Sequence, residues 1–197
     1  MDVRTVALCL AFAFSVALAQ EARDPANERA AMLETMHRGK DIKGSRERYQ
    51  HLPELLAVER ASSAETPRQA LARIGAAGAP VVETKGRLVL FRSVQQKPAV
   101  VERVAGATVY PTVLNTRTGN FGVLTGTLVV KPKSMDDAAA IASSHGLETA
   151  REYRHLQTVL YRVKANMDIA DVAAALQSDA RIESAYPEII EYVRTPK

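Results

Sequence analysis

Residues 122–137 read GVLTGTLVVKPKSMDD, and this stretch decides the fold. Leu128 and Val130 alternate with Val129 and Lys131 at period two, so Val123 to Lys131 reads as a half-buried strand closed by Pro132. Ser134 then stands where a helix N-cap belongs. Asp136 and Asp137 follow in the first turn, where the helix dipole favours negative charge. That helix spans Met135 to Ser144 and ends at His145-Gly146. Beyond it, Leu147 to Arg154 and Gln157 to Lys164 read as two strands meeting at His155-Leu156. Asp168 opens a second amphipathic helix through Leu176, with Ile169, Val172, Ala173 and Leu176 on its inner side. Ser178-Asp179 breaks it, and Ala180 to Ala185 forms the last strand. The order strand–helix–strand–strand–helix–strand closes naturally as a ferredoxin-like βαββαβ sandwich. The expected class is α+β.

Upstream of this unit the chain reads first as a helical arm and then as a small antiparallel sheet. Ala30, Leu33, Met36 and His37 recur at helical steps, and Gly39 with Gly44 ends the pattern. A second helical stretch is expected from Pro53 to Ala61, with Leu55, Leu56 and Val58 as its apolar side. A third follows Thr66-Pro67, the cap and first-turn pair, and stops at Gly75. Strand patterns then take over. Val81–Thr84 and Arg87–Phe91 flank the Lys85-Gly86 hairpin turn, and Ala99–Val104 and Thr108–Leu114 flank Ala105-Gly106-Ala107. Gly119 marks another turn.

Composition narrows the function classes. The chain has 197 residues, 47% hydrophobic and 24% charged, with net charge +4. These values describe a globular protein and exclude a collagen, a coiled-coil rod or a disordered tail. A surplus of four positives is far from a nucleic-acid footprint, and no nucleic-acid partner is expected. Val6 to Ala19 is an apolar run too short to span a membrane, and Ala17-Leu18-Ala19 fits signal-peptide cleavage after Ala19. The single cysteine, Cys9, leaves with that leader, so the mature chain folds without disulfides. A periplasmic or secreted protein is expected, with no stable membrane insertion after cleavage.

The chemistry inventory is empty. His37, His51, His145 and His155 share no metal-ligand spacing, so no metal and no cofactor are expected. Lys43-Gly44-Ser45 lacks the upstream glycine of a phosphate loop, and no serine sits in a G-x-S-x-G elbow. An RNA-recognition sandwich would need stacking aromatics on its central strands, where this chain offers Tyr161 alone. With no nucleophile, base or metal set, the chain is read as a non-enzyme. One feature stands out at the C-terminus. After Arg181-Ile182-Glu183-Ser184-Ala185-Tyr186-Pro187 the chain stays apolar and β-branched through Ile189, Ile190, Tyr192 and Val193. An extended, sticky terminus of this kind suits addition to another protein's surface.

Val129-Val130-Lys131-Pro132-Lys133, a helix ending His145-Gly146-Leu147, and Ile182-Glu183-Ser184-Ala185-Tyr186-Pro187 together resemble the propeptide and inhibitor fold of subtilisin-like proteases. Ile182, Glu183, Ala185 and Pro187 fall on that family's V-E-x-A-x-P strand. The preceding Thr118-Gly119-Asn120-Phe121-Gly122 is similar to the external chaperones of bacterial kexin-like subtilases, which carry an extra domain ahead of the propeptide-like one. With the leader at 1–19 set aside, the resemblance implies an N-terminal domain at 20–121 and a propeptide-like domain with tail at 122–197. It also implies an in-trans chaperone and inhibitor of a secreted subtilisin-like, kexin-like serine protease. One face of the four-stranded layer would pack on two protease helices. Tyr192, Val193, Arg194, Thr195, Pro196 and Lys197 would lie in the substrate cleft, with basic Lys197 nearest the nucleophile. Two other readings stand beside it: a periplasmic subtilase inhibitor with no folding role, and a small-ligand-binding regulatory ferredoxin-like domain.

Overall fold

The computed structural model describes residues 25–191, and the chain divides between Met36 and His37. The first unit contributes α1 (Pro25–Thr35), where the helical periodicity predicts a helix. Thr35 Oγ1 donates back to the Met32 carbonyl at 2.9 Å. The leader reading at 1–19 lies outside the described residues, as does the tail at 192–197.

The second unit is mixed α+β. Its strands and helices run β1 (Asp41–Lys43), β2 (Arg48–Glu59), α2 (Pro67–Arg73), β3 (Val81–Lys85), β4 (Leu88–Arg92), β5 (Glu102–Val104), β6 (Ala107–Asn115), β7 (Phe121–Pro132), α3 (Ala138–Ser144), β8 (Glu148–Tyr153), β9 (Thr158–Arg162), α4 (Ile169–Gln177) and β10 (Ile182–Ile190). The described strands join one antiparallel sheet in the order β3-β4-β2-β6-β7-β9-β8. β10 pairs with β7, β1 with β2, and β5 with β6.

β7 is where the sheet is joined. Its first residues pair with β6 (Leu114↔Phe121, Thr112↔Val123), and its later residues pair with β9 (Thr127↔Arg162 to Val130↔Val159). β10 runs along the opposite edge, from Ile190↔Val123 to Ile182↔Pro132. The β10 register jumps between Pro187↔Leu128 and Ile189↔Leu124, leaving extra β7 residues around Gly126. Gly126 has φ of 83°, a conformation that costs any residue with a Cβ. The irregularity lets one strand change partner on one edge. The ladder runs continuously through position 121, the first residue of β7, so strands on both sides of the expected 121/122 boundary share one sheet.

Among the described residues, two clusters of buried side chains pack against the sheet. Leu128, Val130, Val159 and Tyr161 pack against Ala138 and Ile141 of α3 and Ile169, Val172 and Leu176 of α4; Ile42, Tyr49 and Val113 belong to the same cluster. Each fully buried side chain of Leu or Val size contributes about 1.5–3 kcal/mol. The Tyr161 hydroxyl donates to the Ala138 carbonyl at 2.8 Å, so its one polar atom is not stranded. In the second core, Ala70 and Leu71 of α2 cover Leu56, Val58, Val89, Phe91 and Val109. α2 starts as its sequence predicts. Gln69 N–H donates to Thr66 Oγ1 at 3.3 Å, and Thr66 N–H donates to Gln69 Oε1 at 2.8 Å.

The stretch from Pro53 to Ala61 is not a helix. Residues 48–59 form β2, whose Leu55, Leu56, Ala57 and Val58 are all buried. A strand covered on both faces shows an unbroken apolar run, which periodicity cannot separate from a buried helix. Pro53, read as a helix start, occupies an irregularity where the β2–β6 register shifts between Leu52 and Leu56. The last strand is also longer than expected, reaching Ile190. Ile189 lies over Gly122, where a Cβ would come within 2.5 Å of Ile189 Cγ2.

His51 on β2 is 4% exposed, and its Nε2 has no partner among the described residues. Burial pushes its imidazole down to about 4; Asp168 opposes that shift and Lys40 adds to it.

Two stability predictions follow from this geometry. Gly126→Ala should lower the unfolding free energy by about 1–2 kcal/mol in urea titration. Gly78→Ala, at a glycine with open space around it, should be near neutral. The second concerns pH. The folded His51 resists protonation more than the unfolded chain, so its contribution is intact above about 6.5 and is lost as pH falls towards about 4. The loss should reach about 3 kcal/mol. His51→Leu should flatten that part of a stability–pH curve measured by chemical denaturation.

Candidate functional site

In the layer β10-β7-β9-β8, the second half of β7 and all of β9 alternate in burial, and α3 and α4 cover the buried face. Leu128 and Val130 of β7, and Val159 and Tyr161 of β9, face the helices and are fully buried. Val129 and Leu160 point the other way and are half-buried. Register lines them up: Tyr186 lies opposite Val129, Val129 opposite Leu160, and Leu160 opposite Arg151. This row crosses all four strands. Beside it, Lys131 lies opposite Ser184 and Thr158 opposite Tyr153. The Arg151 guanidinium sits 5.6 Å from the centre of the Tyr153 ring and donates to its hydroxyl at 3.1 Å. The result is a mildly apolar face edged by cations and aromatic rings, a composition suited to protein contact.

The four motif residues all fall on β10, with two different roles. Ile182, Ala185 and Pro187 are buried, turned towards the core. Glu183 is exposed and accepts from Lys131 Nζ at 2.9 Å. It is the extra residue between Ile182↔Pro132 and Ser184↔Lys131, a β-bulge that frees its carboxylate for the neighbouring strand. The turn before β10 is locked by charge. Asp179 accepts from Arg181 Nε at 3.0 Å and Nη2 at 2.6 Å, and from His145 Nε2 at 2.9 Å. Arg181 first and His145 second hold the Asp179 carboxyl well below the usual carboxylate range. His145, at the end of α3, thus bonds the carboxylate of the α4–β10 turn.

Ile189 and Ile190, read as part of a sticky terminus, are rungs of β10 opposite Leu124 and Val123. Tyr192, Val193, Arg194, Thr195, Pro196 and Lys197 lie outside the described residues. The residue from which they depart is tightly held. Tyr49 Oη donates to Glu191 Oε1 at 2.6 Å, Asn115 Nδ2 donates to the same oxygen at 2.9 Å, and Lys85 Nζ donates to the Glu191 main-chain oxygen at 2.9 Å. Burial, and then the Glu191 carboxylate, push the Tyr49 phenol well above its ordinary range, so it remains a donor. Sequence reasoning missed these three residues, which lie 142, 76 and 106 positions from Glu191. Nothing local marks them.

Among the described residues, no three His, Cys, Asp or Glu side chains group as metal ligands. Nor is any helix there long and apolar enough to cross a membrane. A cleft of about 240 Å³ between β1 and α4 is lined by Asp41, Ile42, Lys43, Arg48, Ala170, Ala173, Ala174 and Gln177.

No curated protein matches the chain. The crystal structure of the Aeromonas sobria serine protease (ASP) and chaperone (ORF2) complex contains a chain matched over 99% of its length and 49% of this one, at 22% identity and a TM-score of 0.37. The family described as the open reading frame 2 N-terminal domain matches residues 54–196, which takes in most of the sheet, α2 to α4 and the whole of β10. On that match, the chain belongs to the open reading frame 2 N-terminal domain family.

Proposed function

We propose that this chain is a non-catalytic, external chaperone and inhibitor of a secreted subtilisin-like, kexin-like serine protease. Residues 1–19 are a leader cleaved after Ala19, and the mature chain works in the periplasm or outside the cell. Residues 20–121 are the supporting domain, and residues 122–197 are the protease-facing one. The family match carries the reading: in the Aeromonas sobria complex the open reading frame 2 protein is the chaperone of a serine protease. The geometry supports it. The order β7, α3, β8, β9, α4, β10 with neighbours β10-β7-β9-β8 fits a ferredoxin-like layer, and its helix-free face offers Tyr186, Val129 and Leu160.

In this mechanism the exposed face packs on two surface helices of the protease, and residues 192–197 enter the substrate cleft. Lys197 suits an acidic, base-selecting pocket. Pro196 pre-orders the segment and lowers the entropy lost on binding. Subtilisin-like proteases pair strands distant in sequence, and such topologies fold slowly. A rigid sheet that binds the native-like helices stabilises the transition state for folding, and the same affinity then blocks the finished enzyme.

Co-expression with the protease should raise the yield of mature enzyme, and the protease expressed alone should stay inactive. Full activity without this chain would leave it no folding role. Deleting Arg194–Lys197 should relieve inhibition while the folding yield persists. Leu160→Asp should place an unpaired carboxylate at the centre of the interface and weaken inhibition at least about tenfold. Because Leu160 is only half-buried in the free chain, circular dichroism should show the fold intact.

A further inference from the structure

Among the described residues, β10 has a strand neighbour on one edge only, β7. Beside it lies a hollow of about 350 Å³ that it shares with the turn between β1 and β2. Lys43, Ser45 and Arg46 line the turn side, and Ser184, Ala185 and Tyr186 the strand side. Lys43 and Gln177, the last residue of α4, also line the cleft of about 240 Å³ between β1 and α4, so the two hollows run together as one groove. Ile42, Ala170 and Ala173 give its inner part a buried, apolar floor. The turn that forms one wall is held in place. Gly44 N–H donates to the Glu47 carbonyl at 2.9 Å, and a Cβ on Gly44 would come within 2.6 Å of the Tyr49 ring.

The charge of the groove is one-sided. Lys43, Arg46 and Arg48 are exposed, and among the described residues their side chains make no ion pair or hydrogen bond. The acid of the same turn is already taken: Glu47 accepts from Arg117 Nε at 2.8 Å. Glu183, on the strand side, is taken by Lys131 at 2.9 Å. Asp41 is the remaining carboxylate of the lining, and it belongs to the inner cleft alone. Three uncommitted cations on a fixed turn suit a partner that brings carboxylates.

The strand edge supplies the other half of the recognition. Gln177 Nε2 donates to the Ala185 main-chain oxygen at 2.8 Å, the kind of bond that the N–H of an added strand would make. Pro187, two residues on, has no N–H, which a strand tolerates on an unpaired edge. An extended peptide laid in the groove exchanges the Gln177 amide for its own N–H, so the carbonyl stays satisfied throughout. A second copy of this chain suits the groove poorly, because a two-fold contact along this edge sets the same cations against each other.

We propose that this groove binds an extended, acidic segment of a partner protein. The main chain of the segment pairs with β10 at Ala185, and its carboxylates meet Lys43, Arg46 and Arg48. The site does not depend on the reading of the helix-free face as a protease-docking surface.

The test uses the full chain and a fluorescein-labelled octapeptide of alternating aspartate and valine. Fluorescence anisotropy at low salt measures affinity, and amide shifts in nuclear magnetic resonance locate the site. Binding should move the amides of residues 43–48 and 183–186 and should weaken as salt is raised. Peptides of the same length with lysine or serine in place of aspartate should bind at least about tenfold more weakly. The double variant Lys43→Glu, Arg46→Glu should cost the acidic peptide at least about tenfold in affinity. Both side chains are exposed, so the spectrum of the unbound variant should show the fold intact. Gln177→Ala, which removes the competing amide, should tighten binding roughly threefold. The proposal is overturned by an absence of binding, by affinity that survives charge reversal, by weaker binding in Gln177→Ala, or by amide shifts confined to other residues. Displacement of the peptide by inorganic phosphate at equal concentration also overturns it, making the groove a simple anion site. Shifts at the same residues that grow with protein concentration without peptide make the occupant a second copy, and overturn it too.

Discussion

The bulge at Gly126 is the constraint on which the rest of the structure depends. A strand has two edges, and β7 must serve β6, β9 and β10. It can do so only if one edge is divided between two partners. The division needs a backbone conformation that glycine adopts without strain, and it needs the displaced polar groups satisfied. Both conditions are met. Gly126 has φ of 83°, its carbonyl accepts from Val163 N–H at 2.9 Å, and Thr127 N–H donates to Thr125 Oγ1 at 3.2 Å. Thr125 Oγ1 in turn donates to Glu188 of β10 at 2.6 Å. A single strand thereby joins the sheet under α2 to the layer under α3 and α4.

What holds that second layer together is burial, with charge serving to fix geometry. Surface ion pairs such as Lys131–Glu183 contribute about 0–1 kcal/mol each, less than one buried leucine. Their value lies in location. Arg181, Asp179 and His145 tie the end of α3 to the turn before β10, and Lys40 bonds Asp168 and Asp171 at the start of α4. Both helices are thus secured at their ends while their apolar sides cover one face of the sheet. The opposite face, with Tyr186, Val129 and Leu160 in a row, carries neither of these helices. The same asymmetry that stabilises the fold creates the surface.

Legibility in the sequence followed the locality of each signal. The Asp168 cap, the Thr66-Pro67 start and the alternation of Leu128 to Lys131 act within a few residues, and the structure has them where they were read; Ser134 caps a 3-10 turn, Met135–Asp137, and the α-helix itself begins only at Ala138. β2 was misread because Leu55 to Val58 are covered on both faces, and burial on two faces erases the period-two signature. The strand end at Ile190 was missed because it depends on space over Gly122, in a different strand. The candidate site divided in the same way. Ile182, Glu183, Ala185 and Pro187 lie within six residues of one strand, whereas Tyr49, Lys85 and Asn115 meet only at Glu191.

By itself, then, the sequence determined the α+β class, the order of elements from β7 to β10 and the helix caps, because periodicity and capping are properties of neighbouring residues. Only the tertiary structure decided that one sheet runs through position 121, that Glu183 sits on a bulge beside Lys131, and that three distant side chains close on Glu191. Strand pairing and hydrogen bonds between remote residues carry no local period. They exist only once the chain has brought its separated parts together.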